Sequence, residues 1–228
     1  MIANKKEFFG GVGMMMAFII VLIIMFSPIF KGQNGLDYLD NLYNSISKGS
    51  AYYIPKVKEE VNHFKGKSVT VTMNMTNQKQ AEQAALLFKA GGAEPIVQEA
   101  QLKVTGGLGE ILENCVADAD AMYHNDGKNV SGKYNHDEKQ ALYNWWQALN
   151  AMEKDLKKQK KFKEAEIVAL VVKKAVESSY NYYKIEPQKI TDRMYIVIFS
   201  LVFYVIYTMW YGFAIMFMFE GWGMRLGH

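Results

Sequence analysis

The chain has a single cysteine, Cys115, carries no charge imbalance in its middle, and lacks acidic and basic side chains altogether in two long stretches. With one thiol there is no intrachain disulfide, and the c-type haem attachment signature, which needs two cysteines, is absent. Between Lys31 and Asp192 there are 22 lysines against 21 aspartates and glutamates, so this part is nearly neutral. A nucleic-acid partner would call for a basic domain, and that class is set aside. No nucleophile and base stand at a spacing that marks a catalytic site, and His63, His124, His136 and His228 show no metal-type spacing. The chain is read as non-enzymatic, with no catalytic residue to name.

The missing charge is the most informative feature. Phe8 to Phe30 and Met194 to Phe219 give uninterrupted apolar runs of 23 and 26 residues. A helix needs about 20 such residues, at ~1.5 Å rise each, to cross a ~30 Å hydrocarbon core, so both runs are expected to span a bilayer. The first is read as an anchor and not as a secretory signal. Its apolar run exceeds the usual ~7–15 residues, and Ser27-Pro28-Ile29-Phe30 is too bulky for a cleavage site. Lys5, Lys6 and Arg225 make the outer flanks slightly basic, which places both ends in the cytoplasm by the positive-inside rule. The central domain is then extracytoplasmic, in the periplasm if the membrane is a bacterial inner membrane.

Between the spans the periodicity changes several times. Leu36, Leu39, Leu42 with Tyr43, and Ile46 recur at helical spacing, as do Val57, Val61 and Phe64 after Pro55. From Ser68 to Thr76 the chain alternates, with Val69, Val71, Met73 and Met75 on one face, which is the pattern of a half-buried strand. Asn77 and Gln80 form a capping-box-like start for a helix that Gly91-Gly92 ends. A strand at Ile96-Val97 and another carrying Ala100, Leu102 and Val104 follow, and Pro95 assigns its strand to an edge or a strand start. These pieces make a βαβ-type unit, with a right-handed crossover if its strands are parallel.

The rest reads as helical. Leu108, Leu112, Cys115, Ala119 and Met122 form one stripe, and Leu142, Trp145, Leu149, Met152 and Leu156 form a bundle seam. Five lysines between Lys157 and Lys163 interrupt the apolar pattern, and a second helix carries Val168, Val172, Val176 and Tyr183. The expected fold class is α+β: two membrane helices flanking an extracytoplasmic domain with a small βαβ-type sheet and a helical hairpin. The expected boundaries are 1–30 for the first tail and span, 31–66 for an amphipathic connector, and 67–106 for the βαβ-type unit. Residues 107–189 form the helical part, 190–219 the second span, and 220–228 the closing tail.

The stretch Gly127 to Glu138 resembles an EF-hand calcium loop. Asn129, Ser131, Gly132, Asn135 and Glu138 fall at its third, fifth, sixth, ninth and twelfth positions. The first position is Gly127, and the nearest acid, Asp126, comes one residue early. The calcium reading therefore uses Asp126, Asn129, Ser131, Asn135 and Glu138 and implies low affinity; a polar turn capped by Asp137 or Asn135 accounts for the same residues. Met73-Asn-Met75 is a thioether pair of a kind that holds Cu(I), but a strand core explains it better, since the pair continues the Val69/Val71 face. Gly106-Gly-Leu-Gly109 places glycines where a strand meets a helix. It lacks the third fingerprint glycine and the Walker lysine, so a tight turn is favoured over a phosphate cradle.

In the spans, Ser200, Tyr204 and Thr208 share a face with Tyr207 and Tyr211. Gly13-x-x-x-Ala17 and Thr208-x-x-x-Gly212 are small-xxx-small pairs of the kind that let helices approach in lipid. Partners are thus expected in the bilayer: lipid, and other membrane subunits of the same or a different kind. The functional expectation is a membrane-anchored scaffold or accessory subunit. A ring-forming channel with two helices per subunit and a ligand sensor acting through a partner are the alternatives.

Overall fold

The computed structural model describes residues 2–30 and 32–224; Lys31, Arg225 and His228, all used above, lie outside the described residues. The fold is α+β, predominantly helical, with one three-stranded antiparallel sheet and an apolar helix near each end. The chain packs as two compact units, one made of residues up to Gly49 together with those from Pro187 onward, the other of Ser50–Glu186.

The first unit holds α1 (Lys5–Phe26), α2 (Gly35–Ser50) and, after a 3₁₀ turn at Ile190–Arg193, α10 (Met194–Trp222). Asn4 starts α1 by accepting from the amides of Lys6 and Glu7, and Gly223, at φ +94°, ends α10 in the left-handed conformation. At ~1.5 Å per residue the two apolar helices measure roughly 33 and 44 Å, so both are long and apolar enough to cross a membrane. They lie antiparallel: the Asn4 amide donates to Gly221 O at 2.9 Å, Gly11 faces Ala214 and Met218, and the Phe18 ring stacks on Tyr207 at 4.2 Å. Asn34 Oδ1 caps α2 by accepting from the Asp37 amide at 2.8 Å. Leu42 of α2 is buried, while Leu36 and Tyr43 stay exposed.

The second unit opens with α3 (Ile54–Asn62), which starts with Pro55 where its missing N–H costs nothing. The sheet consists of β1 (Ser68–Asn74), β2 (Glu94–Gln98) and β3 (Gln101–Gly107), in the order β1-β3-β2. Alternation in β1 is complete, with Val69, Val71 and Met73 buried and the residues between them exposed. A helix, α4 (Gln78–Ala90), runs from β1 to β2. It is started by Asn77, whose Oδ1 accepts from the Gln80 amide at 2.9 Å, and closed by Gly92 at φ +76°.

The βαβ-type expectation needs correction at one point. β1 and β2 run in the same direction but do not pair, because β3 lies between them and is antiparallel to both. The cause is the two-residue turn Glu99-Ala100, which folds β3 straight back onto β2 with Glu99 in the left-handed region at φ +53°. Both β1 and β2 are edge strands, and Pro95 sits in one of them. The free edge of β1 is covered by side chains of a later helix: Asp155 accepts from the Thr72 amide at 3.1 Å, and Gln159 donates to Thr70 O at 2.9 Å.

The remaining elements are α5 (Leu108–Tyr123), α6 (Gly127–Tyr134), α7 (Glu138–Lys158), α8 (Phe162–Val171), a π-turn at Val172–Val176 and α9 (Glu177–Tyr182); α4, α5 and α7 pack on the sheet and the others pack on these helices. The expected stripe on α5 and the seam on α7 are fully buried in one continuous core with Phe88, Leu102 and Val168. Fully burying each such large apolar side chain contributes about 1.5–3 kcal/mol before chain entropy is charged against it. Lys160, at φ +61°, makes the turn between α7 and α8, within the lysine-rich stretch where the apolar pattern is lost.

Candidate functional site

On the apolar helix pair, the close approach is made by glycines other than those the motifs pointed to. A Cβ on Gly11 would stand 2.7 Å from the Met218 amide nitrogen, and one on Gly221 would stand 2.4 Å from the Phe8 nitrogen. Gly13 and Gly212 have nothing within 4 Å of that position. Ala17 is half-buried, while Tyr204 and Thr208 are exposed, the Thr208 hydroxyl donating back to Tyr204 O at 2.7 Å. The expectation that Gly13, Thr208 and Gly212 carry the packing is corrected for the chain's own hairpin. Helix rotation turns Gly11 and Gly221 inward and leaves Gly13 and Gly212 on the open faces. Ser200 is the exception on its stripe: it is buried and shares a 2.6 Å hydrogen bond with the Tyr43 hydroxyl of α2. Around the pair, Ile20, Ile23, Phe199 and Leu201 are each more than half exposed.

In the Ser50–Glu186 unit the acid Asp118 is buried on α5 and held by three hydrogen bonds. It accepts from Lys133 Nζ at 2.7 Å, from Trp145 Nε1 at 2.8 Å and from the Tyr134 hydroxyl. A buried carboxylate is costly unless paired and hydrogen-bonded, and this one ties α5, α6 and α7 to a single point. Burial, then the charge of Asp118, raises the Tyr134 hydroxyl pKa far above its ordinary value. Cys115, one turn away, is likewise pushed up by burial and by Asp118, so its thiol stays protonated and is no nucleophile. Sequence reading passed over Asp118, although an acid between Cys115 and Ala119 on an apolar stripe was the available signal.

A second cluster gathers on the surface of α5. Asp120 accepts from Lys58 Nζ at 2.6 Å and Tyr52 OH at 2.8 Å, and His124 Nδ1 lies 3.2 Å away. Partial burial opposes its charge and is the largest single influence, but Lys58, Tyr52 and His124 together outweigh it and hold the carboxyl below its usual range. Tyr52 in turn is pushed up to about 12, by burial first and by Asp120 second. These are ion pairs and hydrogen-bonded acids on the α5 surface.

The calcium-loop segment is helical, which corrects the loop reading. Asp126 precedes α6 and accepts from Asn129 Nδ2 at 2.7 Å; Ser131 Oγ donates to Lys128 O at 3.2 Å; Asn135, at φ +55°, is the left-handed residue ending α6. Glu138 opens α7 and accepts from the Tyr183 hydroxyl at 2.7 Å, which lowers its pKa. Val130 and Tyr134 are buried, and this anchoring favours helix despite Gly127 and Gly132. Each of the five side chains has its own role in the turn or the helix start. Met73 and Met75 are both core residues. At Gly106–Gly109 the Leu108 amide donates to Lys67 O at 2.7 Å, and Gly109 lies against the backbone of Lys65, so this turn is filled by the chain itself. Among the described residues, no three His, Cys, Asp or Glu side chains group as metal ligands.

No family, no curated protein and no solved structure matches this chain.

Proposed function

We propose that the chain is a double-pass membrane protein whose central domain lies outside the cytoplasm of a bacterial cell, and that it works as a non-enzymatic scaffold or accessory subunit of a membrane complex. The observation that carries this is the antiparallel pair α1 and α10, held together through Gly11 and Gly221 while its remaining perimeter of Ile, Leu and Phe stays exposed. Such a surface is unfavourable in water at about 25 cal/mol per Å² and costs nothing against lipid tails. Gly13 and Gly212, small and unused within the hairpin, leave room for a further helix from a second copy or another subunit. The saturated Asp118 cluster supports a structural role for the outer domain. Lys5 and Lys6 in the first turn of α1 support cytoplasmic ends.

Cell fractionation with cysteine labelling tests this. After alkaline carbonate washing the protein should stay with the membrane pellet. In spheroplasts a membrane-impermeant thiol reagent should label Gly132→Cys and not Ala3→Cys. In mild detergent the native mass should exceed the 26.0 kDa of one chain. Release by carbonate removes the anchoring, the reverse labelling removes the orientation, and a monomer with no co-purifying chain removes the subunit role.

A further inference from the structure

Between α7 and the π-turn with α9 lies a cleft of about 360 Å³, within the ~300–1,000 Å³ range of small-molecule sites. Its walls are aromatic. Tyr143 and Trp146 on α7 present near-parallel rings, centroids 6.0 Å apart and 23° between planes, and Tyr180 comes from α9. Leu142 and Val176 also line it, together with the acid Glu177. Trp146 Nε1 donates to Glu177 Oε1 at 2.9 Å, which fixes the indole and sets a carboxylate beside the rings. Among the described residues no lysine, arginine or histidine lies within 4.0 Å of that carboxylate.

The backbone is shaped to make this arrangement. At the π-turn the Glu177 amide donates to Val172 O, five residues back instead of four. The extra residue keeps Val172 and Val176 in the core while Glu177 and Tyr180 face α7. Single π-turns of this kind are found frequently at functional sites.

We infer that this cleft binds a quaternary or multiply methylated ammonium group. Three aromatic side chains in the lining and a carboxylate with no basic side chain within 4.0 Å among the described residues attract a cation, by the ring quadrupoles and by direct charge. Of the polar groups in the lining, the Trp146 N–H is spent on Glu177 and the Tyr143 hydroxyl accepts from Gln147 Nε2 at 2.7 Å, while Asn181 adds a carboxamide. A cation with no N–H of its own draws on the rings and the carboxylate alone and asks nothing of these groups. Tyr180 already receives an ammonium: Lys139 Nζ stands 5.2 Å from its ring centroid. Lys139 is exposed, and its flexible stem allows it to swing out when a ligand arrives.

The test is calorimetric titration of the full chain, in a maltoside detergent at constant ionic strength, with tetramethylammonium, choline and 3,3-dimethyl-1-butanol, the uncharged isostere of choline. Both cations should saturate, and the neutral isostere should bind about tenfold more weakly. Glu177→Gln and Tyr180→Leu should each weaken choline binding several-fold while leaving the near-UV spectrum unchanged. Equal binding of choline and its neutral isostere would mean an apolar slot and overturn the assignment. Absence of heat from both cations in folded protein overturns it too, as does full choline affinity in both variants. Lysine-like ammonium ions are the further control: methylammonium binding as well as tetramethylammonium would remove the preference for a methylated head.

Discussion

Trp145 Nε1 donates to Asp118 Oδ2 at 2.8 Å, so the largest fully buried side chain of the domain is fixed by the carboxylate that also holds Lys133 and Tyr134. The ring also meets Phe88 edge-on at 5.3 Å, coupling the polar cluster to the apolar core. Removing the carboxylate orphans the buried Trp145 and Tyr134 donors and strips Lys133 of its counter-charge, leaving it Asn114 Oδ1. Asp118→Ala should therefore destabilise the domain by about 3–5 kcal/mol, whereas Trp145→Phe, which keeps two of the three bonds but opens a small void, should cost less. Guanidinium unfolding followed by near-UV circular dichroism in detergent measures both. An Asp118→Ala loss no larger than a surface substitution would show that the cluster does not hold the three helices.

The hairpin prediction contrasts two glycines on one pair of helices. Gly11→Leu drives a side chain into the backbone at Met218 and should splay α1 from α10, whereas Gly212→Leu should leave the hairpin intact and weaken association between chains, by about 1–2 kcal/mol if a partner helix uses that face. Disulfide trapping between Cys at positions 18 and 207 reports the hairpin, and native mass in detergent reports association. Equal trapping in parent and Gly11→Leu would refute the close approach.

Acid sensitivity follows from Asp120. Its folded-state pKa lies below the unfolded value of ~3.9, so its contribution to stability is present above that pH and is lost as pH falls through the lower, folded value. The thermal midpoint should fall on going from pH 6 to pH 3, and Asp120→Asn should lower it at pH 6 while narrowing the difference between the two pH values. An unchanged pH dependence in the variant would assign the acid loss to other carboxylates. The cluster is partly open to solvent, which keeps this effect modest.

The hydroxyl of Ser179 is fully buried on α9 and makes no hydrogen bond among the described residues. Leaving such a group unsatisfied costs about 1–3 kcal/mol, so Ser179→Ala should stabilise the protein, by roughly 1 kcal/mol once the small lost volume is counted. Thermal unfolding beside the parent decides it; a lowered midpoint would mean that the hydroxyl has a partner such as a buried water.

How much of this was legible depended on whether the information was local. Strict alternation from Val69 to Met75 specified β1 and its buried face, and Pro95 correctly marked an edge, because both follow from a period of two and a missing donor. The place of β3 did not follow, since Glu99-Ala100 is a hairpin turn without the Asn-Gly or Asp-Gly that advertises one. The helix at Gly127–Tyr134 was hidden for a related reason: two glycines give it poor propensity, and only burial of Val130 and Tyr134 supports it. In the apolar helices the motif spacing named the right residue types but not the right residues. Which glycine faces the neighbour is set by rotation about the helix axis, and that is fixed by contacts far along the chain. The aromatic cleft was out of reach, because Tyr143 and Trp146 meet Glu177 and Tyr180 only through a π-turn that no composition signals.

The sheet has one further consequence, for how other chains can meet this domain. Open strand edges recruit strands, whether from a partner, an identical copy or an aggregate. Here the Thr72 donor and the Thr70 acceptor on one edge are already taken by Asp155 and Gln159, and the other edge carries Pro95, which withholds an amide. Backbone augmentation is therefore blocked on one edge and weakened on the other. Any chain that met this domain would do so on its helical side-chain surfaces, where shape and charge discriminate as a bare ladder of amides cannot.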